Sequence, residues 1–347
     1  MKLKKFISVL LVVITLSGVC LIGALGGYAD IEEHRYFSEI SFRYDVGPET
    51  DGYTLDYQYL SPAVPGDTKK YPLVVWLHGM GNGSKPGAPL SGSYIANWGT
   101  WELQQRFKDS SGAFILLPRS LEEDGIFWED CLIRPLRATI DDFIAKNRDN
   151  IDVSRIYIGG YSMGGKMTLK MAVAYPEMFA AAFPICPAWV PDKAAAEKIA
   201  DMPIWLTSGK KDPLINYYLM VKRAWRNISS ESNIPEDCRF STLSKTLNPD
   251  GTKAPSGHHS WHSVNYDMFS STDGDYPCLS TVDGNGNKVT LTYPDGIISW
   301  LSEKTSDYDG SPATDDGNKE AYDYTLTPDF VITIIRNIKK VIARIIA

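Results

Sequence analysis

The chain has 347 residues, of which 44% are hydrophobic and 22% charged, with a formal net charge of −7. This composition is ordinary for a folded globular domain and unlike that of disordered or collagen-like chains. Both ends of the chain are basic, so the part between them is more acidic than the total suggests. That argues against nucleic acid as a partner, because phosphate binding needs a basic surface.

The first residues carry the pattern of a secretory signal. Three of the first five residues are lysines, and an apolar run over residues 6–24 follows them. With small residues at Gly27 and Ala29, this pattern predicts a signal peptide over residues 1–29 and a secreted protein. An uncleaved N-terminal anchor is the alternative, because the apolar run is long.

The first chemically informative loop follows an apolar strand predicted over residues 72–77. Glycines recur in the loop from His78 to Gly83, so the main chain can approach a ligand without a Cβ in the way. Backbone amides that point at a developing negative charge form an oxyanion hole. We expect the amide of Met80 to be one such donor, and we expect His78 to fix the loop rather than act as a base.

The strongest motif is Gly160–Gly165, which reads GYSMGG and joins a predicted strand over 155–159 to a predicted helix over 166–174. A nucleophile elbow has this strand-turn-helix context, with glycines two residues before and after the serine. Ser162 is therefore the candidate nucleophile. The amide of the next residue, Met163, is the second expected oxyanion donor.

An orienting acid and a base should follow the serine in that order along the chain. Asp212 lies in a loop just after a strand predicted over 203–208, where the acid of such an enzyme belongs. A carboxylate is needed there to hold a histidine in one tautomer and to stabilise its positive charge. The alternative is an aspartate with only a turn-forming role.

Three of the five histidines, His258, His259 and His262, lie within six residues of sequence. Histidine can accept the serine proton and return it near neutral pH, so one of the three should be the base. A metal-binding or merely solvated cluster is the alternative. No cysteine or carboxylate lies nearby in sequence to complete a metal site, and we expect none.

Four cysteines follow the signal: Cys131, Cys186, Cys238 and Cys278. An even number in a secreted protein is compatible with up to two disulfides, but a chain of this length can also keep them as free buried thiols. Their wide spacing matches no zinc motif. The pairing stays open.

The last part of the chain contains three predicted elements. Two short β-rich runs, at 280–282 and 288–292, predict a hairpin; the loop between them begins like a calcium site, but Lys288 stands where that site needs glycine. An acidic, turn-rich linker is expected over 305–327 and a basic amphipathic helix over 328–347. That helix could contact a membrane or cell surface, or dock on its own domain or on another copy.

Short apolar strands alternate along the chain with helical segments such as 136–147 and 216–227. This alternation predicts an α/β fold, with a doubly wound, mostly parallel sheet and helices on both faces. We expect the catalytic domain to span residues 30–304. Its active site should lie at the carboxyl ends of the strands.

Five segments together resemble the secreted esterase branch of the α/β-hydrolases: Leu55–Pro62, His78–Gly81, Gly160–Gly165, Gly209–Asp212 and Gly257–Trp261. That branch includes feruloyl and acetylxylan esterases, polyhydroxybutyrate-depolymerase-like esterases, and small predicted peptidases related to prolyl oligopeptidase. The resemblance implies an α/β-hydrolase fold and catalysis without a metal or organic cofactor.

The resemblance also implies a role for each residue of the expected triad. In the branch, the catalytic histidine follows a glycine and precedes a tryptophan by three places, which selects His258 with Trp261. Ser162 carries over as the nucleophile and Asp212 as the acid.

The implied function is a secreted serine carboxylic-ester hydrolase that forms an acyl-enzyme. Its substrate would be a small-molecule or polysaccharide-linked ester, with acetyl or feruloyl esters of plant polysaccharides as the candidates. A small serine peptidase of the prolyl-oligopeptidase type is the alternative. A non-catalytic binding protein on a hydrolase scaffold is the second alternative.

Overall fold

The computed structural model describes residues 42–83, 93–230, 234–248, 251–267, 279–291 and 296–311. The predicted signal peptide over 1–29 and the predicted helix over 328–347 lie outside these residues, as does Cys278. Most of the predicted linker, from residue 312 onward, also lies outside them. Within the described part of the chain, no helix combines the length and the apolar character needed to cross a membrane.

One mixed sheet organises the described residues. Its strands are β1 Arg43–Val46, β2 Asp56–Leu60, β3 Tyr71–Leu77, β4 Phe114–Pro118, β5 Ile151–Tyr161, β6 Ala181–Ile185, β7 Trp205–Gly209, β8 Arg239–Leu243, β9 Leu279–Asp283 and β10 Lys288–Val289. Their order across the sheet is β1-β2-β4-β3-β5-β6-β7-β8-β9-β10. The pairings from β4 to β8 are parallel, while those at both edges are antiparallel. The prediction of a mostly parallel sheet is confirmed.

Both faces of the central strands are buried, as the alternation in β3 shows. Leu73, Val75 and Leu77 pack into one hydrophobic core, whereas Val74 and Trp76 pack into another. Successive side chains of a strand point to opposite faces of a sheet. A continuous apolar run therefore indicates a strand covered on both sides.

Helices cover both of these cores. The α-helices of the described residues are α1 Trp101–Gln104, α2 Ile133–Lys146, α3 Met163–Ala174, α4 Lys193–Lys198, α5 Lys222–Ser229, α6 Trp261–Asn265 and α7 Ile297–Ser302. Helices α2 to α5 contribute buried side chains to the core that contains Leu73. Helices α1, α6 and α7 contribute to the core that contains Trp76. The prediction of helices on both faces is thus confirmed.

The predicted helix over 216–227 begins as a different structure. Residues Tyr217–Val221 form a π-helical turn, and α5 follows it directly. The side-chain oxygen of Asn216 accepts hydrogen bonds from the amides of Tyr218 and Leu219, at 3.0 and 2.9 Å. An N-cap of this kind satisfies amides that have no partner within the helix.

The hairpin that the sequence predicts near residue 285 is present as β9 and β10. It also extends the main sheet, because β9 pairs with β8 in the antiparallel sense.

The start of the predicted linker packs onto the domain. The amide of Ser306 donates to the carbonyl of Ser154 at 2.8 Å, and Tyr308 is buried in the core that contains Leu73. Arg137 donates to the Tyr308 hydroxyl at 3.1 Å, and that hydroxyl donates to the carbonyl of Ser311 at 2.7 Å. The packed region therefore continues through Ser311 rather than ending at residue 304.

Three of the cysteines lie in the described residues, and each is a free thiol. Cys131 is exposed, whereas Cys186 and Cys238 are buried.

Candidate active site

Ser162 occupies the sharp turn between β5 and α3. Its backbone has φ 57° and ψ −114°, a region that residues other than glycine rarely adopt. Two hydrogen bonds fix this turn: the Ser162 amide donates to the carbonyl of Ile185 at 2.9 Å, and the Lys166 amide donates to the Ser162 carbonyl at 3.0 Å. Strain held in place by its surroundings is typical of functional sites, and this conformation is that of a nucleophile elbow.

The two glycines that flank the serine are required by close contact between main chains. A Cβ added at Gly160 or at Gly164 would collide with the carbonyl oxygen of Leu77 at the end of β3. Any larger residue at either position would push the elbow away from the loop that begins at His78.

Asp212 and His258 lie in direct contact, as the sequence predicts. Atom Nδ1 of His258 lies 2.7 Å from Oδ2 of Asp212. The other carboxylate oxygen accepts hydrogen bonds from the amides of Leu214 and Ile215, at 2.8 and 2.9 Å. Because an ionised carboxylate only accepts hydrogen bonds, the proton of the neutral imidazole sits on Nδ1. Nε2 is then left as the basic nitrogen.

A pair of glycines allows two loops to meet: the loop after β7 that carries Asp212, called the acid loop, and the loop that carries His258, called the histidine loop. A Cβ at Gly209 would collide with the carbonyl oxygen of Gly257, and a Cβ at Gly257 would collide with the carbonyl group of Lys211. The two loops therefore touch through their main chains. This close approach is what brings residues 46 positions apart, Asp212 and His258, within hydrogen-bond distance.

The environment of His258 favours its protonated form. Burial by itself would lower the pKa of the imidazole, but its contacts with Cys186 and Asp212 outweigh this effect and raise that pKa above its ordinary value. A neighbouring carboxylate has this effect because it stabilises the positive charge that a catalytic base acquires.

The other two histidines of the cluster are held by different partners. Atom Nδ1 of His259 lies 3.0 Å from the Ser256 hydroxyl, and Nδ1 of His262 lies 3.1 Å from the side-chain oxygen of Asn248. Burial lowers the pKa of both. Neither contacts the carboxylate of Asp212 through a hydrogen bond in the described residues, so among the three only His258 is paired with an acid.

His78 has both ring nitrogens engaged inside the fold. Its Nδ1 donates to the carbonyl of Gly79 at 2.7 Å, and its Nε2 accepts the amide of Ser120 at 3.1 Å. Burial lowers its pKa to about 4. The neutral ring of His78, hydrogen-bonded through both nitrogens, connects the glycine-rich loop to Ser120. This is the structural role expected for His78.

Ser162 and His258 line the same cavity, which has a volume of about 290 Å³. The two residues expected to donate to the oxyanion, Met80 and Met163, line it as well. Met163 is the first residue of α3, so its amide is one of those without an acceptor inside the helix. The cavity thus brings together the predicted nucleophile, the predicted base and the two residues whose amides are the expected donors, and Asp212 is hydrogen-bonded to His258.

Sequence reasoning missed Glu122, which supports the glycine-rich loop. Both of its carboxylate oxygens lie 3.0 Å from the amide of Gly81, and burial raises the pKa of this carboxyl group. Next to it, the Tyr161 hydroxyl donates to the side-chain oxygen of Asn82 at 2.7 Å. Glu122 lies in a short run of acidic residues with no local pattern, so nothing in the sequence marks it.

Sequence reasoning also left open the role of Cys186, which follows β6. Its Sγ, a carboxylate oxygen of Asp212 and a ring nitrogen of His258 all lie within 4.8 Å of one another. Such a set could hold a metal ion, but hydrogen bonds already occupy the Asp212 carboxylate and Nδ1 of His258. Its position after a parallel strand was the available signal, because such strands end at the active-site edge.

Comparison with known proteins gives one family and several structures. The family model described as phospholipase/carboxylesterase matches residues 130–246, a stretch that contains Ser162 and Asp212. No curated protein sequence matches the chain.

The chain is similar in structure to a thermostable esterase, with a TM-score of 0.57 and 24% identity; the match covers 77% of this chain and 64% of that one. It is also similar to a ferulic acid esterase, with a TM-score of 0.47, 16% identity, and coverage of 66% of this chain and 96% of that one. An acylaminoacyl peptidase in complex with a chloromethyl ketone gives a TM-score of 0.43, 17% identity, and coverage of 66% and 40%.

The described residues form an α/β-hydrolase fold. Sheet order, helices on both faces and the likeness to the thermostable esterase all agree on this. The chain spans less than two thirds of the length of that esterase, and the phospholipase/carboxylesterase match is confined to residues 130–246.

Proposed function

We propose that the protein is a serine carboxylic-ester hydrolase that works through an acyl-enzyme. One observation carries the proposal: the imidazole of His258, hydrogen-bonded to the buried carboxylate of Asp212, lines the same cavity as Ser162 in its strained elbow. A nucleophile, a base that takes its proton and an acid that orients the base are the parts that acyl transfer needs.

In the first half of the reaction, the Ser162 hydroxyl oxygen attacks the ester carbonyl carbon while Nε2 of His258 takes the hydroxyl proton. The carbonyl oxygen becomes negative and accepts hydrogen bonds from the amides of Met80 and Met163. The bond to the alcohol oxygen then breaks, and His258 returns the proton to that oxygen. Asp212 stabilises the imidazolium in between.

In the second half, water takes the place of the alcohol. His258 removes a proton from the water as the water oxygen attacks the acyl carbon. Collapse of the second tetrahedral intermediate breaks the bond to Ser162, and His258 gives the proton back to the serine oxygen. The carboxylic acid leaves.

The lining of the cavity favours an uncharged acyl group. Apolar side chains form most of its wall, including Ala188, Leu214 and Ile215, and none of the described residues that line it is a lysine, arginine, aspartate or glutamate. A charged acyl group would lose its hydration there without gaining a partner. Acetyl and feruloyl esters of plant polysaccharides meet this requirement, and the motif resemblance supports them as substrates.

We also propose that the protein is secreted and that residues 328–347 contact a membrane or cell surface. The basis is the signal pattern over 1–29 and the basic amphipathic pattern near the carboxyl end. Secretion predicts a mature protein that begins at Asp30, which N-terminal mass spectrometry of the product from a secreting host can check.

The deciding experiment combines labelling with a substrate screen. A fluorophosphonate probe should modify Ser162, as shown by peptide mass spectrometry. The protein should hydrolyse acetyl or feruloyl esters faster than hydroxyalkanoate esters or short peptide amides. Ser162→Ala should abolish both labelling and hydrolysis, while Ser110→Ala, which changes a buried serine outside the cavity, should keep both.

Faster cleavage of the peptide amides would make the protein a peptidase. Absence of labelling and of all turnover in the folded wild-type protein would favour a non-catalytic scaffold.

A further inference from the structure

Cys186 is held in a strained position behind the Asp212–His258 pair. It follows β6, is wholly buried, and has φ 36°, in the region that side chains other than glycine rarely adopt. Its amide donates to the carbonyl of Thr207 in the neighbouring strand at 2.8 Å. A strained residue persists only when its surroundings determine its conformation, and such residues cluster at functional sites.

The thiol of Cys186 lies close to both members of the hydrogen-bonded pair, Asp212 and His258. Its S–H donates to the main-chain carbonyl of His258 at 3.6 Å, and its sulfur lies within 4.8 Å of both the Asp212 carboxylate and the His258 ring. Cys186 does not line the cavity that Ser162 shares with His258. Its sulfur therefore makes no direct contact with a substrate in that cavity.

We propose that Cys186 is a positioning residue, whose thiol holds the main chain and ring of His258 against Asp212 so that the imidazole faces Ser162. This inference rests on the proposed esterase function. The thiol is a weak donor with a large, polarisable sulfur, so it fills the space beside the ring and stabilises the ring's positive charge. Among the described residues, His259 on the same loop is a further titratable group that interacts with the ring, besides Asp212 and Cys186.

The chain provides a matched control in Cys238. This cysteine is also wholly buried, and its thiol also donates to a main-chain carbonyl at 3.6 Å, that of Met202. Cys238 lies just before β8, at the opposite edge of the sheet from the carboxyl ends that carry the candidate site. Removing its thiol leaves a similar cavity without touching the pair.

The test compares Cys186→Ala and Cys186→Ser with Cys238→Ala in the full chain. For Cys186→Ala we expect kcat to fall by about tenfold to a hundredfold, because small displacements of a catalytic group cost this much. KM should change less than about twofold, since the contact is not made to substrate. Cys186→Ser, which keeps a shorter donor, should lose less. Cys238→Ala should keep the wild-type kcat.

The pH dependence separates positioning from a merely structural role. In Cys186→Ala, the ascending limb of kcat/KM against pH should move to lower pH, because the imidazolium loses one of its stabilising contacts. The NMR titration of the His258 ring in a Ser162→Ala background should show the same shift without any turnover. If Cys186→Ala does not fold, the pH profile and the NMR titration are measured on Cys186→Ser instead.

Wild-type kcat and an unmoved titration in Cys186→Ala would overturn the inference, as would equal losses in Cys186→Ala and Cys238→Ala. If instead the wild-type protein hydrolyses no ester, the proposed function fails, and the His258 titration still tests the contact.

Discussion

The hydrogen bond between Asp212 and His258 decides which imidazole nitrogen is basic. With the proton of the neutral ring on Nδ1, where the carboxylate accepts it at 2.7 Å, the lone pair lies on Nε2. The same carboxylate oxygen stabilises the ring once Nε2 has taken a second proton. His259 and His262 have neutral hydroxyl or amide partners instead, so His258 is the one histidine of the three that is hydrogen-bonded to a carboxylate.

The three histidines should therefore differ in what their removal does. We expect His258→Ala to lower kcat/KM by about 10³-fold or more, because loss of a triad member removes the base itself. His259→Ala and His262→Ala should lower it by less than about tenfold, since they remove packing and not proton transfer. Ester hydrolysis by the purified variants measures this. Similar losses in all three would contradict the assignment of His258.

A second prediction at this scale concerns pH. His258, the proposed base, can accept a proton only when its imidazole is neutral. Because the pKa of His258 is raised, the neutral fraction grows only as the pH rises through that pKa. We therefore expect kcat/KM to increase with pH and to reach its plateau only at alkaline pH, with a midpoint above the ordinary histidine value of about 6.5.

Asp212→Asn provides the control for that pH profile. Without the carboxylate, the midpoint should move to lower pH, and kcat should fall by about 10⁴-fold because the tautomer is no longer fixed. A profile with its midpoint at or below the ordinary value in the wild-type protein would contradict the raised pKa.

Among the structural elements, the acid and histidine loops depend on each other. They meet at Gly209 and Gly257, where an added Cβ on either residue would strike the main chain of the opposite loop. Main chain cannot move aside as a flexible side chain can. The distance between Asp212 and His258 is therefore set by two residues that take no part in the chemistry.

Gly257→Ala should consequently damage catalysis from outside the triad. We expect it to separate the loops and to lower kcat/KM by about a hundredfold, the cost of a displacement of roughly 1 Å. Slower fluorophosphonate labelling of Ser162 should accompany this loss. Gly284→Ala is the control, because the Cβ added at Gly284 would meet its nearest atom only at 3.2 Å. A wild-type rate in Gly257→Ala would show that the loops tolerate the separation.

Over the whole molecule, the sequence predicts the α/β fold because three central strands, predicted over 72–77, 155–159 and 203–208, each combine an apolar run with a glycine-containing loop after it. The elbow at Gly160–Gly165 and the hairpin near Gly284 are local patterns, and both appear in the structure. The resemblance to the esterase branch selects His258 among the three histidines. The pairing of its ring with Asp212 depends on the approach of two loops across β7 and β8, which only the three-dimensional structure provides.

Sequence reasoning missed the supporting positions of Cys186 and Glu122 for the same reason. Each supports the site across a gap in sequence: Cys186 reaches a loop 72 residues away, and Glu122 reaches the amide of Gly81, 41 residues away. Neither lies in a motif. A residue that supports a site from another element becomes visible only when the order of the strands is known.

The stability of the whole domain should depend on the segment that follows α7. Tyr308 is buried, and its ring and hydroxyl both contact Arg137. We expect Tyr308→Ala to lower the free energy of unfolding by about 3 kcal/mol, as for other buried aromatic side chains. Tyr308→Phe should cost about 1 kcal/mol, since it removes only the hydrogen bonds of the hydroxyl.

Both variants should keep the wild-type kcat/KM, because this segment packs beside the start of β6 and β7, near Ala180 and Met202, and the site lies at the other ends of these strands. Urea unfolding followed by tryptophan fluorescence measures the loss of stability, and ester hydrolysis measures kcat/KM. An unchanged unfolding midpoint in Tyr308→Ala would mean that residues 305–311 do not stabilise the domain. The domain would then end at residue 304, as expected from the sequence.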